Sequence, residues 1–221
     1  MMKTAIFDLD GTLADTSRDL LFAGNACFLA DGHPAPLTHE DHAAVAFAGG
    51  RAMLSKGAEI LGLAWTEDDI QRHYPRLLSV YGENIDTHTT LYPGVEAALD
   101  RLAEAGWRLG ICTNKPEGLA ETLTRKLGLR DRFTALIGAD TLPVRKPDPE
   151  ALLETIRRVG GDPARSVLFG DTITDRKTSE NAGVASVLVT FGPIGMAVEE
   201  MSPDGLLHHY DDIEAVLAAL F

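Results

Sequence analysis

The feature that most constrains this chain is a broken rhythm. Residues Thr4 to Asp8 are apolar up to the aspartate and are closely followed by Gly11, the pattern of a short buried strand. No regular partner follows it. Only helical spacing runs from Thr16 to about residue 90, and strand-like and helical runs begin to take turns after "TLYPGVEAAL". The candidate strands there are Arg108 to Thr113, Ala135 to Gly138, Val167 to Phe169 and Ala185 to Thr190. Between them lie short helices, with Pro116 and Pro149 near helix starts and Gly106, Gly128 and Gly160 near helix ends. Such alternation builds a parallel, doubly wound α/β sheet. The expectation is an α/β core made of residues 1–16 and 92–221, with residues 17–91 forming an inserted α-helical domain.

Within the insert, three threonines sit three residues before an aspartate: Thr16 with Asp19, Thr38 with Asp41, and Thr66 with Asp69. That spacing resembles a capping box at a helix start. Leu20, Ala23, Cys27 and Ala30 continue the first helix, which Gly32 and Pro34 should end. Ile70, Tyr74, Leu77 and Leu78 continue the last, where Pro75 is expected to kink or divide it.

Charge narrows the function. A net charge of −13 repels polyanions, which argues against nucleic acid or an anionic membrane as the partner. A small anionic substrate remains compatible if cations gather locally. No apolar run approaches the roughly 18 residues of a membrane span, and Asp8 interrupts the N-terminal apolar stretch that a signal peptide would need. These readings point to a soluble, cytoplasmic protein; a monomer or a homodimer is the expectation, and nothing in the sequence chooses between them. Cys27 and Cys112 have no metal or disulfide spacing and read as reduced core thiols. His208 and His209 read as an exposed loop pair without an assigned role.

Open parallel sheets bind ligands at the carboxyl ends of their strands. Four polar stations stand at or near those ends: Asp8 with Asp10, Thr113 with Asn114, Lys146 in the loop "RKPDP", and Asp171 with Asp175. Each alone has an ordinary reading, as a solvated turn, a helix cap or an exposed loop cation. A calcium-binding EF-hand loop starting at Asp8 fails, because Leu13 and Asp19 stand where that loop needs glycine and a bidentate glutamate. Taken together, the four acids would repel by about 4 kcal/mol per close pair at an effective dielectric near 20. Such a cluster asks for a metal ion, and an oxygen-only ligand set favours a hard one, magnesium first.

In this order the stations "DLDGTLADT", "ICTNKP", "RKPDP" and "GDTITD" resemble the four motifs of the haloacid dehalogenase superfamily, in its phosphatase branch. Within that branch "TLYPGV", "LGICTNKPE", "GADTLPVRKPDP", "NAGV" and the helical insert look most like bacterial phosphoglycolate phosphatases. The resemblance implies a Rossmann-like core and a small phosphorylated metabolite as substrate, with 2-phosphoglycolate favoured. It makes Asp8 the nucleophile, Asp10 the general acid and base, and Lys146 a cation beside the phosphoryl group. Thr113 and Asn114 would hold the phosphoryl oxygens. Magnesium would sit between Asp8, the Asp10 carbonyl and Asp171, with Asp175 supporting that shell. The insert would be a lid, in which Arg51 and Lys56 of "AGGRAMLSK" are possible contacts for a substrate carboxylate. Thr172, Thr178 and Ser179 depart from the common pattern, which bears on helix packing and on the exact substrate.

Other chemistries rank lower. A dehalogenase would lack Asp10, since no oxygen leaving group needs a proton. No lid signature of a sugar phosphomutase is evident, and only Lys56 could serve a phosphonatase as a Schiff-base lysine. A receiver-type phosphoacceptor is about half this length and carries its aspartate on a later strand. A non-catalytic phosphate-binding protein is compatible with the motifs but leaves the full set of turnover residues unused.

Overall fold

The computed structural model describes residues 3–221. The chain folds as two compact units, one running up to Ala14 and resuming at Leu91–Phe221, the other spanning Asp15–Thr90. In chain order, β1 (Thr4–Phe7) and the short β2 (Ala14–Asp15) precede the helices α1 (Ser17–Ala30), α2 (His39–Phe47), α3 (Gly50–Ile60) and α4 (Glu67–Glu83). The strand β3 (Thr90–Leu91) then pairs with β2. Next come α5 (Val95–Glu104), β4 (Arg108–Cys112), α6 (Glu117–Lys126), β5 (Ala135–Ile137), α7 (Pro149–Arg158) and β6 (Ser166–Gly170). The chain finishes with α8 (Ile173–Ala182), β7 (Ala185–Val189), β8 (Gly205–Leu207) and α9 (Ile213–Leu220).

The α/β unit is built on a parallel six-stranded sheet in the order β5-β4-β1-β6-β7-β8. All four residues of β1 are buried, as befits a strand flanked on both sides and covered on both faces. Alternation sends Ile6 to one face, where it joins Cys112, Leu168 and the α7 residues Leu152 and Ile156. Phe7 faces the other way, stacked on Phe169 at 4.8 Å and edge-on to Phe133. Close helix packing is allowed by Gly110, where a Cβ would come within 3.1 Å of Ile6, Thr155 and Val159 side chains.

The strand order reverses at β1. Chain connections run from β1 to β4 and β5 on one side, then cross to β6, β7 and β8 on the other. The carboxyl ends of β1 and β6, adjacent in the sheet, therefore lead away in opposite directions and open a crevice. The doubly wound parallel sheet expected from the sequence is the one observed. Its strand β8 was not expected.

In the helical unit, α1 packs against α2, α3 and α4. Thr38 accepts a hydrogen bond from the Asp41 amide, and Thr66 with Asp69 forms a reciprocal capping box, both as expected. Thr16 does not cap α1 with its side chain. Asp19 is instead buried, and its carboxylate accepts from the amides of His88 and Thr89 and from the Thr89 hydroxyl, at 2.8–3.0 Å. The carboxylate is thus taken by donors of the segment that leads out of the unit, including the buried Thr89 amide and hydroxyl. Pro75 does not divide α4, which runs through it. Pro75 and Gln71, whose carbonyl loses its helical donor there, are both exposed, so water can replace the missing bond. No described helix is long and apolar enough to cross a membrane. Both cysteines are buried free thiols; burial pushes Cys27 up to about 11 and Cys112 up to about 12.

Candidate active site

Asp8 is the first residue past β1, and its amide still donates to the Phe169 carbonyl at 2.8 Å, continuing the ladder to β6. The chain then turns tightly. Gly11 donates to the Ala14 carbonyl, while Leu13 and Ala14 donate to the Leu9 carbonyl. Gly11 is essential to that turn for two reasons: its φ is +77°, and a Cβ would lie 2.2 Å from Asp171 Oδ2. The turn thus lets backbone approach a carboxylate from the neighbouring strand.

Asp171 follows β6 directly, and Asp175 lies in the first turn of α8. Asp175 closes a capping box with Thr172, accepting through Oδ2 from the Thr172 hydroxyl at 2.7 Å and from the Thr172 amide at 3.1 Å. Its other oxygen pairs with Lys146 Nζ at 2.6 Å. The same ammonium lies 2.9 Å from Asp8 Oδ2. One lysine, 3% exposed, therefore bridges the two strand ends.

The structure brings Asp8, Asp171 and Asp175 together, with one ligand-capable oxygen from each within 4.8 Å of the others. Three buried acids face one buried ammonium, and the charges do not balance. Burial raises Asp8 to about 6, only partly opposed by Lys146. Burial, then the charges of Asp175 and Asp8, hold Asp171 well above the usual carboxylate range. Burial works against the Lys146 ammonium, but Asp175 and Asp8 outweigh it and keep the lysine protonated. Both partners of the Asp8–Lys146 pair are thus raised, Asp8 chiefly by its burial and Lys146 by the two carboxylates beside it.

The chemistry of this donor set fits a divalent cation. Asp171 Oδ1 accepts from the Thr12 hydroxyl at 3.3 Å, but the fully buried Oδ2 has no hydrogen-bond partner. A buried carboxylate oxygen without a donor costs roughly 1–3 kcal/mol or more, which a cation would offset. Asp175, whose oxygens are already taken by donors, is suited to support rather than to ligate.

Thr113 lies just past β4 with its amide on the Ile137 carbonyl, and its Oγ1 accepts from the Lys115 amide at 3.2 Å. Asn114 is exposed, and its amide nitrogen donates to the Lys146 carbonyl at 2.9 Å, tying two stations together. Asp10 is not part of the acid cluster. Its Oδ2 pairs with Lys115 Nζ at 2.8 Å, and Lys115 is buried. Sequence reasoning overlooked Lys115, although it stands beside Asn114 in "CTNKP". Arg51 and Lys56 belong to the helical unit. Arg51 pairs with Glu67 and Gln71 and lies over the Tyr74 ring; Lys56 pairs with Glu59 at 3.0 Å.

A family model described as haloacid dehalogenase-like hydrolase matches residues 2–183. The chain belongs to this family. This hydrolase is therefore an enzyme, and the match runs through all four stations. It is 40% identical over 217 residues to a phosphoglycolate phosphatase of Agrobacterium fabrum, covering 98% of this chain and 91% of that one. It is also 40% identical over 218 residues to a phosphoglycolate phosphatase of Mesorhizobium japonicum, covering 96% and 93%. Among solved structures it resembles a predicted phosphoglycolate phosphatase of Haemophilus somnus 129PT, with a TM-score of 0.85, 26% identity and 97% of each chain covered.

Proposed function

We propose that this hydrolase is a magnesium-dependent phosphomonoesterase that cleaves a small anionic phosphate ester, 2-phosphoglycolate being the favoured substrate, through an aspartyl phosphate on Asp8. The observation that carries the reading is the Asp8 carboxylate at the switch point, 2.9 Å from the Lys146 ammonium and beside the unpartnered Asp171 Oδ2. The substrate preference rests on what the relatives at 40% identity are named to act on.

An ionised aspartate needs no base to make it nucleophilic. Asp8 attacks phosphorus, the bond from phosphorus to the ester oxygen breaks, and Asp10 gives its proton to the departing alkoxide. Asp10 then takes a proton from water as that water attacks the phosphorus of the acyl phosphate, releasing phosphate and restoring Asp8. Lys115 fixes the Asp10 carboxylate, and Lys146 offsets charge on the phosphoryl oxygens. The Thr113 hydroxyl and Asn114 hold those oxygens in line. A divalent cation held by Asp8, the Asp10 carbonyl and Asp171 would reduce the repulsion between carboxylate and phosphate dianion.

The test is hydrolysis of a panel of small phosphate esters, 2-phosphoglycolate included, with magnesium and after chelation. The reading expects magnesium-dependent phosphate release with the highest kcat/KM on 2-phosphoglycolate. Equal turnover after chelation would refute the metal dependence, and a preference for another ester would refute the substrate.

A further inference from the structure

The segment that follows residue 183 lies beyond the family match, yet it reaches the turn after β1. Tyr210 is fully buried between β8 and α9, and its hydroxyl donates to the Thr12 carbonyl at 2.8 Å. Its ring packs on Phe191 at 5.4 Å, and Phe191 on Tyr92 at 4.8 Å. The Tyr92 amide donates to the Leu13 carbonyl, one residue beyond Thr12. Arg101 anchors the other end, bonding the Tyr210 carbonyl at 3.1 Å and Glu214 at 2.9 Å. Two consecutive carbonyls of the turn are thus gripped by one aromatic cluster.

What that turn presents is directed at Asp171. Thr12, fully buried, donates its hydroxyl to Asp171 Oδ1, and Gly11 leaves the gap that Asp171 Oδ2 fills. Gly192, next to Phe191, closes the same corner, since a Cβ there would be 3.1 Å from the Gly11 carbonyl and 3.4 Å from Asp171 Cβ. A shift of the turn by a few tenths of an ångström would change both contacts of one carboxylate.

We propose that Tyr210 is a positioning residue for the divalent cation: by holding the Thr12 carbonyl it fixes the 9–14 turn, which aims Asp171. This rests on the reading that Asp171 ligates a cation. Tyr210 itself touches neither substrate nor cation. The phenol ring supplies packing, and the hydroxyl is the group through which Tyr210 holds the Thr12 carbonyl.

Tyr210→Phe keeps the ring and removes only that hydroxyl. Magnesium binding is measured directly by calorimetry on substrate-free enzyme, alongside amide exchange of residues 11–14 and kcat and KM at saturating magnesium. The proposal expects magnesium affinity to fall by about three- to tenfold, the range of one hydrogen bond, with faster exchange at 11–14 and a KM for the ester within about twofold of the parent. Thr155→Val, which removes a buried hydroxyl that bonds the Ala151 carbonyl within α7, should leave magnesium affinity unchanged. Thr12→Val should weaken magnesium to a similar degree, and the double variant should lose no more than the larger single loss. Unchanged magnesium affinity in Tyr210→Phe, or additive losses in the double variant, would overturn the role of Tyr210 while leaving the cation reading intact. Absence of magnesium binding by the parent enzyme would overturn both.

Discussion

Asp8 stands between a single ammonium and two other buried acids, and this sets its behaviour. With its carboxyl raised from 3.8 to about 6, the folded protein holds a proton there that the unfolded chain has released. Stability of the metal-free enzyme therefore falls as pH rises through the window from about 4 to about 6, by up to about 3 kcal/mol for this group. Asp8→Asn should abolish turnover by at least about a thousandfold. The same substitution should leave the metal-free protein melting no lower than the parent at pH 7.5, with a shallower decline across pH 4–6, read by calorimetry. Gly11→Ala combines a strained φ with a Cβ directed into Asp171 Oδ2, so magnesium-dependent activity should drop by about a hundredfold or more while circular dichroism stays native. Single residues were unevenly legible. Asp8 and Asp171 could be found because strand ends mark them, Asp175 because it stands in the first helical turn after one, and Lys146 as the lone lysine of the loop "RKPDP" among these acids. Lys115 reads in sequence as an exposed loop cation before a proline. Tyr210 lies 198 residues from the carbonyl it holds, and no local pattern joins the two.

Elements were legible where periodicity or capping chemistry was strong. β1 and β4 to β7 are short apolar runs bounded by turns, and Thr38 and Thr66 mark their helices by the bonds they make. β8 was missed because three residues after "SPD" carry no period to read. The start of α3 is equally mute, since its cap and first residue are Gly49 and Gly50. Thr16 and Asp19 have the right spacing for a cap and a different use. Asp19 clasps the segment that leads out of the helical unit, and spacing alone cannot rank a distant amide against a near one. Asp19→Ala leaves the buried Thr89 amide and hydroxyl and the half-buried His88 amide without their acceptor, at a cost of roughly 3 kcal/mol. The expected result is a melting temperature lower by roughly 6–12 °C, with Asp19→Asn intermediate because it keeps one acceptor oxygen.

At the scale of the molecule, the sheet order was readable as a class and the position of the crevice followed from it, because ligand sites in doubly wound sheets lie where the strand order reverses. Binding of a cation to the folded state only should stabilise the whole α/β unit. Chelation should therefore abolish turnover and lower the melting temperature, and magnesium at a hundredfold its dissociation constant should return about 2.7 kcal/mol. A differential scan with and without magnesium measures this directly; identical melting curves would contradict the assignment of the acid cluster.

The central strand also has the most distant neighbours. Thr4 pairs with Arg108 on one side and Ser166 on the other, so β1 leaves the ribosome long before either partner exists. An apolar strand must wait, unpaired and prone to association, while the entire helical unit is synthesised. A nascent chain that stops short of β6 carries Asp8 and Lys146 but neither Asp171 nor Asp175, so the buried acid cluster is assembled only after strands on both sides of β1 have been made.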